Sequence, residues 1–287
     1  MEFTAHNILL DNGQRTIYDH RKLLAETDQC RAIICTLNTF FGGQDKSKVR
    51  IADLGCFEGG YTVEFARNGY DALGIEARRL NLENCYYVAK NLNLPNLKFV
   101  KDDVKNIANY GIFDVIFCCG LLYHLDQPYA FLKTLGQMTR SMLILHTHYS
   151  VGKPNFFFPP AEPTYLENLY RIYRYKILAT LRDMLPKKLR GTKRDHNLSH
   201  LAINEGKLGR WFYEYDPIST KEDIEKQRLN SYSNEKSFWM TKKELLQSVK
   251  ESGFDLIYEQ YDFLGDIVKN TYTEDCNRGL FIGVKSR

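Results

Sequence analysis

Two acidic residues and a glycine-bearing turn carry the first chemical signal. The run Ile51-Ala52-Asp53-Leu54-Gly55-Cys56-Phe57-Glu58-Gly59-Gly60 passes from apolar residues into a turn where Gly55 and Gly59 let a ligand approach the main chain. Glu76, in Leu73-Gly74-Ile75-Glu76, follows Asp53 by 23 residues, where a carboxylate can accept both hydroxyls of a ribose. Tyr123-His124 and His146-x-His148 supply groups able to move a proton near neutral pH. His124 reads either as a base or substrate contact, or as a cap on a loop. His146 reads as a core histidine, and His148, nearer the strand end, is open between the two. Two histidines with no evident third ligand set up no metal site.

The turn discriminates among nucleotides. A dinucleotide fingerprint needs G-x-G-x-x-G, and Phe57 occupies its second glycine position. Pyrophosphate also wants a bare helix N-terminus, and Glu58 would repel it. A ribose-bearing cofactor without phosphate, carrying a sulfonium and an ammonium, fits better: S-adenosylmethionine (SAM).

These residues need strands to hold them. Apolar runs predict strands at 49–54, 71–76, 97–101, 113–118 and 141–148, with helices over 61–68, 79–91 and 128–139 between them. That alternation predicts an α/β fold with a mostly parallel sheet and helices on both faces. Residues 1–48 form a preface: a short hairpin at 8–17 turning at Asn12-Gly13, then a helix from a Thr27 or Asp28 cap to about Phe41. The core at 49–149 is interrupted at 150–236, read as a largely helical insertion after the fifth strand with no convincing strand ladder. Residues 237–287 complete the core with a helix over 238–253, capped by Thr241 and stopped by Gly253, and strands at 255–261 and 280–284.

With those motifs in order, the chain resembles class I SAM-dependent methyltransferases. The likeness rests on Asp53-Leu54-Gly55-Cys56…Gly59, Gly74-Ile75-Glu76, Phe99-Val100-Lys101-Asp102-Asp103-Val104 and Phe113 through Leu125. It implies a Rossmann-like, seven-stranded sheet with its last strand antiparallel. It further implies that Asp53 and the turn Gly55, Cys56, Phe57, Gly59 hold the methionine part of SAM. Glu76 would bind the ribose, Asp103 and Val104 the adenine, and Cys119 and Gly120 the methionine end. Methyl transfer is an in-line displacement in which the enzyme positions the nucleophile and removes its proton, so His124, His148 and Tyr123 are the catalytic candidates.

Composition bounds the rest. The chain has 287 residues, 44% hydrophobic and 13% aromatic, which excludes a disordered chain. No apolar window suggests a membrane span, the N-terminus does not read as a secretory signal, and seven cysteines without Cys-x-x-Cys read as reduced thiols, so a cytoplasmic location is expected. Nine Lys/Arg and only two Asp fall between Asn168 and His200. This basic, aromatic stretch could grip nucleic acid, an anionic substrate or a membrane surface, or simply face solvent. Gly120-Leu121-Leu122-Tyr123-His124 and Ser237-Phe238-Trp239-Met240-Thr241 also resemble the methyltransferase half of the tRNA wobble-uridine carboxymethyltransferase, and methyltransferases of polysaccharide and natural-product pathways. Three functions follow as expectations: methyl transfer to a hydroxyl of a small, possibly anionic or sugar acceptor; modification of tRNA; or SAM binding without turnover.

Overall fold

The computed structural model describes residues 2–150, 198–215, 219–260 and 278–286. They divide into two compact units, residues 1–122, 131–148 and 246–287 forming one, and 123–130 and 149–245 the other.

The larger unit is built on strands β1 (Arg50–Leu54), β2 (Asp71–Glu76), β3 (Leu97–Lys101), β4 (Phe113–Cys119), β5 (Thr139–His148), β9 (Leu256–Glu259) and β10 (Arg278–Val284). Their order is β3-β2-β1-β4-β5-β10-β9, with β10 antiparallel to both neighbours. This is the expected Rossmann-like sheet. After β1 the chain crosses towards β2, and after β3 it returns to β4 on the other side, so the topological switch lies between β1 and β4. Ligands of open α/β sheets bind at the carboxyl edge there.

Helix α1 (Asp28–Phe40) starts where Thr27 accepts the Cys30 N–H, as the cap signal predicts. It packs Ile33 and Leu37 with Phe65 of α2 (Gly60–Arg67), and with Ile51, Val115, Phe117 and Ile144 of the sheet, in one buried cluster. Val63 of α2 enters a second cluster with Ile8, Leu10, Val88 and Leu92, which includes α3 (Arg79–Lys90). Helix α2 is therefore buried from Gly60 to Ala66, and its N-terminus is fixed against the turn after β1. The expected N-terminal hairpin is reduced to a turn at Gly13 with one bridge, Leu9 to Arg15.

The second unit departs from expectation. Strands β6 (Leu198–Asn204), β7 (Lys207–Tyr213) and β8 (Lys236–Met240) form an antiparallel sheet, followed by the short helix α5 (Lys221–Lys226) between β7 and β8 in sequence. The described part of the insertion thus has a strand ladder. The predicted helix from 238 begins only at Lys242, in a helix Lys242–Glu251 that we term α6, while Thr241 caps it and Gly253 follows with φ +93° as anticipated. Two features hid the ladder. Gly209 interrupts the apolar alternation of β7, yet a Cβ there would meet the Trp239 carbonyl oxygen at 2.4 Å, so close strand packing requires it. The β6–β7 turn uses Glu205 and Gly206, both with positive φ (52° and 74°), a pair without the usual Asn-Gly signature. The predicted helix at 165–184 and the basic cluster lie outside the described residues.

Gly136, in α4 (Pro128–Met138), lies against the chain just beyond α6, where an added Cβ would sit 1.9 Å from the Ser252 carbonyl oxygen. Gly136→Ala is expected to lower unfolding stability by about 1–3 kcal/mol through overpacking, read as a reduced urea midpoint at unchanged slope.

Candidate functional site

After β1 the chain turns through Gly55, Phe57 and Gly59, with φ of 64°, 56° and 80°. Positive φ is costly for a phenylalanine, and neighbouring groups hold it. The Phe57 N–H donates to Glu76 Oε2 at 3.0 Å, and the Cys85 thiol donates to the Phe57 carbonyl at 3.2 Å. Gly59 has a packing reason as well, since a Cβ would meet the Phe99 ring at 2.7 Å. Cys56 turns its sulfur inward, 3.8 Å from that of Cys85, so it can offer a ligand only its main chain.

Buried acids fasten this turn to its surroundings. Thr62 Oγ1 donates to Asp53 Oδ2 at 2.6 Å and the Thr62 N–H donates to the same carboxylate, which caps α2. Burial pushes the Asp53 carboxyl up to about 7, only partly offset by Thr62. Glu76 accepts from the Arg78 N–H at 2.8 Å as well as from Phe57, and its side chain also engages Asn81. Burial raises its pKa too.

Glu58 does something the sequence did not disclose. Its carboxylate is fully buried and accepts from the N–H groups of Thr4 (2.7 Å), Ala5 (3.1 Å) and His6 (2.8 Å), and from the Thr4 hydroxyl. The N-terminal segment is thereby tied to the turn, and the Gly60 N–H donates to His6 Nδ1 at 3.0 Å. The His6 ring stands edge-on to Phe57 and Tyr61. Two amides at the start of α2 are thus engaged by His6 and Asp53. Glu58 thus faces the N-terminal segment, which carries His6 onto the start of α2.

The remaining cofactor candidates lie on the same sheet edge. Asp103 accepts the Lys105 N–H at 2.9 Å and caps the short 3-10 helix Val104–Tyr110, with Val104 buried. Cys119 ends β4, and Gly120, with φ 74°, donates its N–H to the His146 carbonyl at 2.9 Å. His146 and His148 are both buried on β5. His146 is not purely apolar in its surroundings: the Gln29 amide lies 3.1 Å from its Nδ1. Carboxylates and main-chain groups at a switch point suit hydroxyls and positive charge, so the residues present fit SAM.

In the second unit, His124 Nδ1 lies 2.8 Å from Glu214 Oε1. Glu214 is buried and also accepts from the Ser237 hydroxyl (2.7 Å) and the Ser231 N–H (3.1 Å). A carboxylate receiving those donors fixes the ring with Nδ1–H towards it and Nε2 left as an acceptor. Tyr123 packs on His124 and edge-on to Trp239, whose indole N–H donates to the Tyr123 carbonyl at 2.8 Å. Glu214 lies 90 residues from His124, in a segment where the strands were not recognised, so no local spacing could have revealed it.

A family model described as a methyltransferase domain matches residues 51–142. That span contains the turn, Glu76, Asp103, Cys119 and Gly120, in the positions the geometry singles out. Over this span the chain is similar to methyltransferase domains. Beyond this domain, a tRNA U34 carboxymethyltransferase of Campylobacter jejuni subsp. doylei is 32% identical over 120 residues, 39% of this chain and 39% of its own. A ubiquinone biosynthesis O-methyltransferase of Rickettsia typhi is 26% identical over 93 residues, 32% of this chain and 37% of that protein. The chain therefore spans roughly two fifths of the length of these relatives. Among solved structures, the N-terminal domain of EvdMO1 with S-adenosylhomocysteine (SAH) bound covers 98% of this chain and 91% of its own, at 21% identity and a TM-score of 0.60; it shares the fold.

The His6 contact predicts a pH response. Burial lowers the His6 pKa from 6.5 to about 4, with Glu58 opposing the shift. Neutral His6 therefore stabilises the fold fully above pH 6.5, and that contribution is lost as pH falls towards 4. Acidification from 6.5 to 4 is expected to lower the protection factor of the Gly60 amide (its exchange relative to the intrinsic rate at each pH) and to lower stability, and His6→Gln should remove that part of the pH slope.

Proposed function

We propose that the chain transfers a methyl group from SAM to a hydroxyl oxygen of a small acceptor, with His124 taking the acceptor's proton and Glu214 holding the histidine. The His124–Glu214 pair carries this reading. When bound, SAM supplies a methyl electrophile on its sulfonium. Glu76 would accept the ribose hydroxyls, Asp103 with the Val104 main chain would meet the adenine, and Asp53 would supply negative potential beneath the turn. Cys119 and Gly120 would border the methionine end. His124 Nε2 would accept the hydroxyl proton as the oxygen gains its new bond, and Glu214 would stabilise the resulting imidazolium. Tyr123 would set one wall, and His148 remains a second candidate for contact with the acceptor. The EvdMO1 N-terminal domain, also crystallised with SAH in the presence of D-fucose, supports a sugar among the acceptors to be tried.

The match to tRNA U34 carboxymethyltransferases favours a second reading, in which RNA is the acceptor. A salt titration separates the two. RNA binding through several phosphates would weaken steeply and linearly on log–log axes, whereas a small-molecule enzyme would leave tRNA unbound at physiological salt. SAM binding without turnover is the third outcome, recognised by cofactor affinity with no SAH release from any acceptor and no effect of His124→Ala.

Glu76→Ala is expected to weaken SAM binding by about 1–3 kcal/mol, the worth of charge-assisted hydrogen bonds, in calorimetry. Affinity should also rise with pH. Asp53, raised to about 7, and Glu76 are both favoured in their ionised forms by a cationic ligand, so SAM should bind more tightly at pH 8 than at pH 6 and release protons on binding. SAH, lacking the sulfonium charge, should show a smaller dependence, and Asp53→Asn should flatten the SAM profile. Turnover of a competent acceptor should drop at least tenfold in His124→Ala. Glu214→Gln should lower kcat and shift the acidic limb of its pH profile rather than raise KM.

A further inference from the structure

The chain from Ser231 to Trp239 addresses the main chain around His124 residue by residue. The Trp239 indole N–H donates to the Tyr123 carbonyl at 2.8 Å, and the Phe238 N–H donates to that of Leu125 at 2.8 Å. Between them the His124 carbonyl accepts from Asn234 Nδ2 at 2.8 Å and from the Ser231 hydroxyl at 3.0 Å. The same stretch holds the carboxylate partner of the ring. Ser237 Oγ donates to Glu214 Oε1, the oxygen that His124 Nδ1 faces, and the Ser231 N–H donates to Oε2. The Glu214 N–H in turn donates to the Glu235 carbonyl at 3.0 Å. The run Ser237-Phe238-Trp239, picked out by the sequence without a role, is the counterpart of Tyr123-His124.

Ser237 matters for chemistry as well as geometry. Its side chain and that of Glu214 are fully buried, so protein donors stand in for water there. A buried carboxylate stays charged only while such donors are present. Short of one, Glu214 gains by taking a proton, and its O–H then donates to His124 Nδ1. The ring proton moves to Nε2, which offers an N–H instead of a lone pair. That tautomer cannot take a proton from a hydroxyl.

Resting on the reading of His124 as proton acceptor, we propose that Ser237 and Asn234 are positioning residues for it. Asn234 fixes where the histidine main chain lies. Ser237 keeps Glu214 charged and thereby fixes which ring nitrogen carries the proton. Both act through the histidine.

Proton–nitrogen correlation spectra of the full chain, without cofactor or acceptor, read the His124 tautomer at a pH where the ring is neutral. Its signals are assigned by their loss in His124→Ala. The wild type is expected to hold Nδ1–H alone. Ser237→Ala and the better-filling Ser237→Cys, whose thiol is a weak donor, should both bring in the Nε2–H form. Asn234→Ala should leave the tautomer as it is. With a competent acceptor, every variant should lower kcat with KM and SAH affinity retained, the Ser237 variants in step with the lost Nδ1–H fraction. None should lower the residual turnover of His124→Ala further. The role of Ser237 is overturned if the wild type holds Nε2–H, or if both Ser237 variants keep the wild-type tautomer. That of Asn234 is overturned if Asn234→Ala leaves kcat unchanged, or if its loss persists without the histidine. A wild type that turned over no acceptor would remove the proton-acceptor reading, while the tautomer spectra would still decide what Ser237 does.

Discussion

Burying carboxylates beside a turn is expensive unless each finds donors, and this molecule meets that cost at one place. Asp53, Glu58 and Glu76 are all nearly inaccessible. Between them they bind the first turn of α2, the amide of a residue with positive φ, and the N-terminal segment. Removing any one would take away the acceptor of main-chain N–H groups, and removing Glu76 would also take the tether from the left-handed Phe57. The turn after β1 is therefore held in shape before any ligand arrives, which is the condition for binding without a large ordering cost.

The same arrangement sets the charge of the site. Burial is the largest cause that disfavours ionisation of Asp53 and of Glu76, and the Glu76 charge adds to it at Asp53. A region that holds negative charge reluctantly gains most from a cation. The Gly60 N–H at the start of α2 is already bonded to the His6 imidazole.

What could be read beforehand was whatever is local. Strands β1 to β5 and the Thr27 and Thr241 caps show themselves through apolar runs and short-range capping rules, and Gly55, Gly59 and Glu76 through fixed spacing along one βαβ unit. What escaped depends on partners far apart in the chain. Glu58 read as a repulsive charge because its donors, Thr4 to His6, lie more than fifty residues away. The β7 strand went unread, and the strand that Gly209 packs against, β8, comes some thirty residues later. Glu214 carried no signal at all until β7 and β8 placed it beside His124.

That last pair shows why the histidine alone was ambiguous. An imidazole at the end of a loop is equally suited to capping, packing or accepting a proton, and its own neighbours in sequence do not choose. A buried carboxylate on Nδ1, itself held by Ser231 and Ser237, removes the freedom of the ring to flip and assigns the acceptor role to Nε2. His146 is the contrasting case: its Nδ1 faces donors rather than an acceptor, and the Arg278 charge works against protonation. Two histidines therefore face opposite surroundings, one with its Nδ1 on a carboxylate and the other with its Nδ1 among donors.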